Sequence, residues 1–329
     1  MSTTVDLPFD TLGLSQQGRV LTVVFRSPPH NFVTFAFIRE WDVLTRAVDR
    51  DGSIGAVVVT AEPGLPFMTH VDPEDVGDAI RLPISSLRAE LLYPGWKLAR
   101  MLLRLPAVPS LTRRFGGPVG RALVFGSQWR RSLLRMSRSS TVYLAAINGH
   151  AVAGGCEFAL GCDIRYACDA PDVRFGQIEI LAGVVPGGGG ALRLPRMIGT
   201  ARALEHMLDG APITAAQALE WGVVSKVLPA QDLVAATQAT AARLAQRSPR
   251  AIRAIKQLTH GSTSQSLSTG LDRAMAAFGA AAVSRPVKAT LPALLADIAE
   301  TGSTPLSAGE QRWVQGTRVD HTDHEPSGR

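Results

Sequence analysis

Two stretches restrict this chain more than any others: Ile54 to Thr60 (IGAVVVT) and Thr141 to Ile147 (TVYLAAI). Each is a continuous apolar run without the polar alternation of a half-wet strand, as expected for strands covered on both faces. Such strands need helices packed on them, and the sequence supplies one in the right place. Arg19 to Arg26 (RVLTVVFR) reads as a strand, and Ser27-Pro28-Pro29-His30-Asn31 breaks it. Phe35 to Arg50 then carries Phe37, Ile38, Trp41, Leu44 and Val48 at helical spacing. Strand, helix, buried strand is a right-handed crossover unit, so the body is expected to be α/β.

After the second buried run, Asn148-Gly149-His150 turns the chain. Gly154 to Gly161 reads as a short helix, and Asp163 to Ala167 and Val173 to Phe175 as strands. From Gly199 the signals are helical: Ala201 to Leu208, Ala215 to Trp221, Asp232 to Gln246, Pro249 to Thr259, Leu267 to Ala282 and Leu291 to Glu300, with a brief strand at Val223 to Leu228. The predicted division is an α/β body over 1–230, a helical region over 231–306, and a polar, mobile tail from Ser307 to Arg329.

No apolar run in the 329 residues reaches the length of a membrane span, and Met1 to Asp10 lacks the features of a secretory leader, so a cytoplasmic protein is expected. Cys156, Cys162 and Cys168 fit neither a disulfide framework nor a zinc pattern, and His150 alone completes no site. They read as small buried hydrophobes, and no metal is expected.

Charge is unevenly placed. From Ala79 to Thr141 there are 12 Lys and Arg against one acid, Glu90, a net +11 within a whole-chain +6 that leaves −5 elsewhere. Ile84 to Leu105 interleaves leucines with Arg88, Lys97, Arg100 and Arg104, and Pro94-Gly95 is expected to break it in two. Arg121 to Arg138 repeats the theme around Trp129. The segment has the look of a basic amphipathic surface helix. It could form an extra helical layer on the body or on a neighbouring subunit, a basic rim or lid beside a ligand, or a surface for an anionic membrane; the first is the favoured reading. With few aromatics to stack on bases and no recognised motif, no nucleic-acid partner is expected.

The stretch that carries chemistry is Gly149 to Glu157 (GHAVAGGCE). A strand ends, the chain turns, and a helix begins at two adjacent glycines. Free N–H groups at a helix N-terminus face outward where the dipole favours negative charge, and Gly154 lets a ligand approach the backbone. That is the geometry of an oxyanion hole, with Glu157 nearly one turn on along the same face. The plainer alternative is that Glu157 only supports the first helical turn through the dipole. Phe175 to Glu179 (FGQIE) adds a second carboxylate, Glu179, after a strand. Gly187 to Gly190 follows, without the Lys-Ser/Thr of a phosphate loop, and reads as backbone packed closely beside a ligand.

Together, Ala146 to Glu157, Phe175-Gly176-Gln177-Ile178-Glu179 and Val185-Pro186-Gly187 resemble the enoyl-CoA hydratase/isomerase (crotonase) family. The resemblance covers about Val20 to Pro229 apart from the basic segment. It implies a crotonase-like (ClpP/crotonase) spiral of ββα units with a helical C-terminal oligomerisation region, and a homo-trimer or a hexamer. It implies backbone donors to a thioester oxygen at Gly154 and at Val71, the latter within Phe67-Met68-Thr69-His70-Val71-Asp72. It further implies that Glu157 and Glu179 hold one water at the reacting carbons, that His30, Asn31 and Phe32 lie near the nucleotide end of CoA, and that His70, Asp72 and Gly187 border the substrate. CoA would arrive as part of an acyl-CoA thioester, with no other cofactor bound. His70 stands where the family usually has Gly; an outward-pointing side chain is favoured over one reaching into the site. The expected activity is hydration of a 2-enoyl-CoA. The alternatives are a double-bond isomerase or other thioester reaction on the same scaffold, or a non-catalytic acyl-CoA-binding or membrane-surface protein.

Overall fold

The computed structural model describes residues 4–81 and 88–322. Strand β1 (Leu12–Gln17) runs antiparallel to β2 (Val20–Phe25), and helix α1 (Phe35–Val48) leads to β3 (Ala56–Ala61). Helices α2 (Pro73–Ile80), α3 (Ala89–Leu102), α4 (Val108–Phe115) and α5 (Gly117–Met136) precede β4 (Val142–Ile147). The site region follows: β5 (Ala151–Val152), α6 (Gly154–Gly161), β6 (Ile164–Cys168) and β7 (Arg174–Gly176). Then come α7 (Gly190–Ile198), α8 (Thr200–Asp209), β8 (Ile213–Thr214), α9 (Ala215–Glu220) and β9 (Lys226–Leu228). Helices α10 (Ala230–Leu244), α11 (Pro249–Gly261), α12 (Leu267–Ala282), α13 (Arg285–Thr301) and α14 (Gln311–Gln315) close the chain.

The main sheet has the order β1-β2-β3-β4-β6-β9, parallel from β2 onward, and a small sheet pairs β5-β7-β8. Every residue of β3 and β4 is buried, as their unbroken apolar sequence requires. Register is set by pairs such as Val58 with Leu144 and Ala146 with Tyr166. Strand β1 escaped the sequence reading because its residues alternate buried and wet along Leu-Gly-Leu-Ser-Gln-Gln, the signature of a polar edge rather than a core strand.

Two helices bear on the sheet in ways the sequence did not separate. Trp41 of α1 is fully buried, edge-on to Phe158 at 4.9 Å and to Tyr143 at 6.3 Å. Helix α10 lies along β3, β4 and β6 with Leu233, Thr237 and Ala241 buried. A Cβ on Gly55 would come within 2.8 Å of Ala245, so the chain enters β3 in close contact with the end of α10. A boundary at 230 therefore cuts through the body: α10 is part of the sheet's cover.

The basic segment also divides. Its second half, α5, is structural. Val124, Trp129, Leu133 and Met136 are buried in the core, and Arg131 and Arg135 reach the fully buried Asp42 of α1 at 3.3 and 3.1 Å. Its first half is not: neither α3 nor α4 buries a residue. Helix α3 also runs unbroken through Pro94, contrary to the expected interruption. The proline forfeits one early hydrogen bond, and the rest of the helix is held by Trp96 resting on Gly126 of α5.

The supposed tail is tied down as far as Thr322. Trp313 is buried and donates Nε1–H to Asp297 at 2.9 Å, while Arg318 makes a forked ion pair with the same carboxylate. One aromatic and one arginine supply anchoring that polar composition conceals. Residues 323–329 of that stretch lie outside the described residues. Among the described residues, no helix is long and apolar enough to cross a membrane.

Candidate active site

The site is assembled where three chain segments lace together. Met68 donates to His150 O and Thr69 to Asn31 O, both at 3.0 Å, while Gly155 donates to Thr69 O at 2.8 Å. Val33 donates to His70 O at 3.0 Å, and Asp72 to Val33 O at 3.1 Å. Because the His70 carbonyl faces Val33, the N–H of Val71 in the same peptide must face the other way. Ala153, in the strained conformation φ 49, ψ −122, reverses the chain into α6 and leaves Gly154 as its first residue. Among the described residues, neither Val71 N–H nor Gly154 N–H has an acceptor. A Cβ on Gly154 would stand 3.7 Å from both Thr69 O and Val71 Cγ2, so the start of α6 lies close against the Thr69–Val71 segment. Gly155 leaves no choice of residue: its Cβ would lie 1.9 Å from Met68 O.

Nearly one helical turn on from Gly154, Glu157 is buried and bound by the glycine loop. Gly188 N–H donates to both carboxylate oxygens, at 2.7 and 2.8 Å, and Gly190 N–H donates at 2.8 Å. The loop read from sequence as backbone beside a ligand thus holds a carboxylate of the protein itself, at the N-terminus of α7. Burial raises the pKa of Glu157, and the N–H groups of Gly190 and Gly188 oppose the rise.

Glu179 opens a single 3-10 turn, Glu179–Ala182, after β7. Both its carboxylate oxygens are buried and lack any hydrogen-bond partner among the described residues. Burial, with the Glu157 charge nearby, pushes its pKa up to about 7. The two glutamates therefore differ in kind: one is clamped by donors, the other is unpartnered and poised to hold a proton at neutral pH.

Trp129 was noted in the sequence only as part of a basic segment. It reaches this site from α5, with its indole N–H buried and unpartnered. A Cβ on Gly188 would lie 2.2 Å from Trp129 Nε1 and 2.5 Å from Glu157 Oε2, which places indole and carboxylate side by side. Phe125 stacks on Trp129 at 6.1 Å. His206 was also missed. Its Nε2 accepts from Gln177 N–H at 3.1 Å and so braces the segment bearing Glu179, and burial lowers its pKa, which favours the neutral ring that bond requires. No local pattern signals a histidine so far along the chain.

The remaining candidates separate. His30, Phe32 and His70 line one cleft of about 400 Å³ with Pro66, Thr69, His150 and Val152. The His70 ring lies 4.6 Å from Phe32, with Nδ1 3.0 Å from Val71 O, so it belongs to the cleft wall. Asn31 does not join them. Its side chain is fully buried, accepting from Ser27 N–H at 2.7 Å and donating to Pro66 O at 2.6 Å, and it braces the loop instead of facing a ligand. Asp72 caps α2 through Glu74 N–H at 2.9 Å. Gly187 is exposed beside the loop that binds Glu157. A larger cavity of about 590 Å³, by Arg247, Lys256 and Thr290, contains none of these residues. The three cysteines are free and buried, and burial pushes the Cys156 and Cys162 thiols up to about 12, far from nucleophilic use.

A largely parallel sheet covered by helices defines a class of fold, and the comparisons supply its family. Residues 116–293, more than half of the chain, match the enoyl-CoA hydratase/isomerase family, and the protein belongs to that family. A probable enoyl-CoA hydratase of Mycobacterium tuberculosis is 42% identical over 137 residues, covering 42% of this chain and 52% of its own length. The match thus spans about half of that relative. The short-chain-enoyl-CoA hydratase of Clostridium acetobutylicum is 27% identical over 267 residues, covering 81% of this chain and 87% of its own. Among solved structures, an enoyl-CoA hydratase/isomerase from Cupriavidus metallidurans superposes with a TM-score of 0.71 at 22% identity, covering 88% of this chain and 95% of that one. At that identity the likeness speaks for the fold, which is the crotonase fold.

Proposed function

We propose that this protein hydrates the 2,3 double bond of a 2-enoyl-CoA thioester. The observation that carries the reading is the contrast between the clamped Glu157 and the unpartnered Glu179. In this reading the thioester oxygen takes the N–H groups of Val71 and Gly154, which stabilise the enolate-like charge; losing one such donor typically raises a barrier by about 2.7–4 kcal/mol. Glu157, whose charged form the glycine loop's N–H groups favour against the effect of burial, removes a proton from water as its oxygen adds to the β carbon. Glu179, protonated near neutral pH, gives its proton to the α carbon. Glu157 then holds a proton and Glu179 has lost one, so transfer between them or through solvent restores the start. The cleft of His30, Phe32 and His70 accepts part of the CoA moiety, which enters with the substrate. The apolar outer face of α12, where Leu271, Met275 and Phe278 are exposed, suits the trimer or hexamer expected from the resemblance.

Double-bond isomerisation is the second reading. It is favoured to the extent that the clamped Glu157 leaves Glu179 as the sole mobile proton carrier. One experiment separates them: loss of the conjugated enoyl-thioester absorbance with short and long trans-2-enoyl-CoA, the product being checked by mass for the added water, for wild type, Glu157→Gln and Glu179→Gln. Hydration predicts turnover by wild type and losses of about 10²–10⁴-fold in both variants. A wild type inactive on every length, or a Glu157→Gln protein with full activity, overturns it.

A further inference from the structure

Helices α3 and α4 are absorbed by neither the core nor the proposed site. Helix α3 presents three faces. Trp96 and the adjoining Leu103, only 3% exposed, look towards α5. Leu91, Leu98 and Leu102, with Leu105 just beyond the helix end, recur at spacings of seven, four and three and fall on a separate, exposed stripe. Leu91 is 72% exposed, Leu98 55% and Leu105 54%. Lys97, Arg100 and Arg104 lie on the remaining side of the helix and in the turn after it, and among the described residues none of these has a carboxylate partner. Arg100 and Arg104 add to Arg130 and Arg138 of the α5 region. Burial, and then repulsion from Arg100, Arg138 and Arg104, holds the Arg130 guanidinium below its ordinary pKa. Among the described residues, none of these gathered cations has a carboxylate partner.

We infer that α3, with the turn that follows it, is a docking surface for an anionic lipid bilayer, its leucine stripe entering the acyl boundary and its flanking cations meeting the headgroups. The physical requirement is an occupant that is apolar along one line and anionic beside it, and a bilayer surface offers both at once. A second copy paired through the same face would set Lys97 and Arg104 against their own equivalents, a like-charge contact that opposes association. Of the 12 basic residues between Ala79 and Thr141, Arg121, Arg131 and Arg135 pair with Asp78 and Asp42; the others, against Glu90 alone within the segment, leave this region cationic while the rest of the chain is net negative, so the attraction is directional. Docked this way, the molecule would hold its proposed acyl-thioester site near the phase into which long acyl chains partition. That benefit rests on the proposed function; the docking itself does not.

The test is co-sedimentation of the full-length protein with vesicles of phosphatidylcholine alone or with about 30% phosphatidylserine, alongside gel filtration and enoyl-CoA hydration assays. Wild type should sediment with the anionic vesicles, and only weakly with the neutral ones or at high salt. Leu98→Glu/Leu105→Glu and Lys97→Gln/Arg104→Gln should each reduce binding to anionic vesicles by about tenfold or more without altering elution volume or hydration rate. Wild type that fails to sediment, or variants that sediment as well as wild type, overturns the inference. So does a change in elution volume for the leucine variant, which would identify the stripe as a contact between copies. Hydration by the same preparations reports separately on the active site, so failure of docking and failure of the enzymatic reading are distinguishable.

Discussion

Both carboxylate oxygens of Glu157 accept a hydrogen bond from the single backbone N–H of Gly188, at 2.7 and 2.8 Å. The donor approaches so closely because Gly188 has no side chain. An added Cβ would lie 2.5 Å from Glu157 Oε2 and 2.2 Å from Trp129 Nε1. Gly188→Ala is therefore expected to displace the carboxylate and lower kcat by about 10²-fold or more, with little change in far-UV circular dichroism. Steady-state kinetics on a short enoyl-CoA would check it; a variant with wild-type kcat would show that the clamp is irrelevant to turnover.

The unequal glutamates predict the shape of the pH profile. In the hydration direction the base must be ionised, so activity falls at low pH as the pair takes up a proton on the Glu157 side, above the ordinary carboxylate value of 4.5. The acid must be protonated, so activity also falls as pH rises through about 7, where Glu179 loses its proton. A bell-shaped kcat/KM is expected, and in Glu179→Gln the residual activity should lack the alkaline limb.

Stability should carry the same signature with the sign that linkage requires. Folded protein keeps the Glu179 proton up to about 7, whereas the unfolded chain gives it up near 4.5. The folded state thus binds more protons between those values, and its stability falls as pH rises across that window. Glu179→Gln removes the charge that burial disfavours. Its Tm is expected to exceed that of wild type by about 2–4 °C at pH 8 and to match it below pH 4.5. Thermal melts at the two pH values decide the matter; equal Tm differences at both would assign the effect to packing.

Asp42 joins α1 to α5 as the buried acceptor of three arginines: Arg46 at 3.0 Å, Arg131 at 3.3 Å and Arg135 at 3.1 Å. Removing it strands cations gathered around one buried carboxylate. Asp42→Ala should cost about 3 kcal/mol, the lower end of the usual range because the arginines can partly rehydrate. Denaturant unfolding would measure it. Since α5 also carries Trp129, a loss of activity at temperatures where the variant remains folded is expected to accompany the loss of stability.

Lys256 has a similar place in the helical region. It is buried and donates to Asp163 at 2.7 Å and to Thr141 O at 2.8 Å, which pins α11 to the ends of β4 and β6. Lys256→Met should destabilise by about 3 kcal/mol, and adding Asp163→Asn should recover part of that loss because no unpaired charge then remains. A double variant no better than the single one would show that the carboxylate was not left uncompensated.

The sequence by itself determined the strands at the heart of the protein, because IGAVVVT and TVYLAAI are too continuously apolar to be anything but covered on both faces. It determined the turn that starts α6 at Gly154 with Glu157 following, because those signals are local and a helix N-terminus needs no distant partner. Distant partners were what the tertiary structure alone could decide. Glu157 lies 31 residues from Gly188 in sequence, and nothing in either stretch says that the glycines' N–H groups hold a carboxylate instead of a ligand. Asn31 reads as a loop residue near a ligand until Ser27 and Pro66 are seen to occupy its polar atoms. Trp129 reads as part of a basic helix until folding brings it beside Glu157, and the polar end of the chain reads as a tail until Trp313 and Arg318 find Asp297. Periodicity and turn chemistry record what a residue does with its neighbours in sequence. Which buried polar group satisfies which other, and which is left unpartnered for chemistry as Glu179 is, depends on contacts that exist only once the sheet has brought separate segments together.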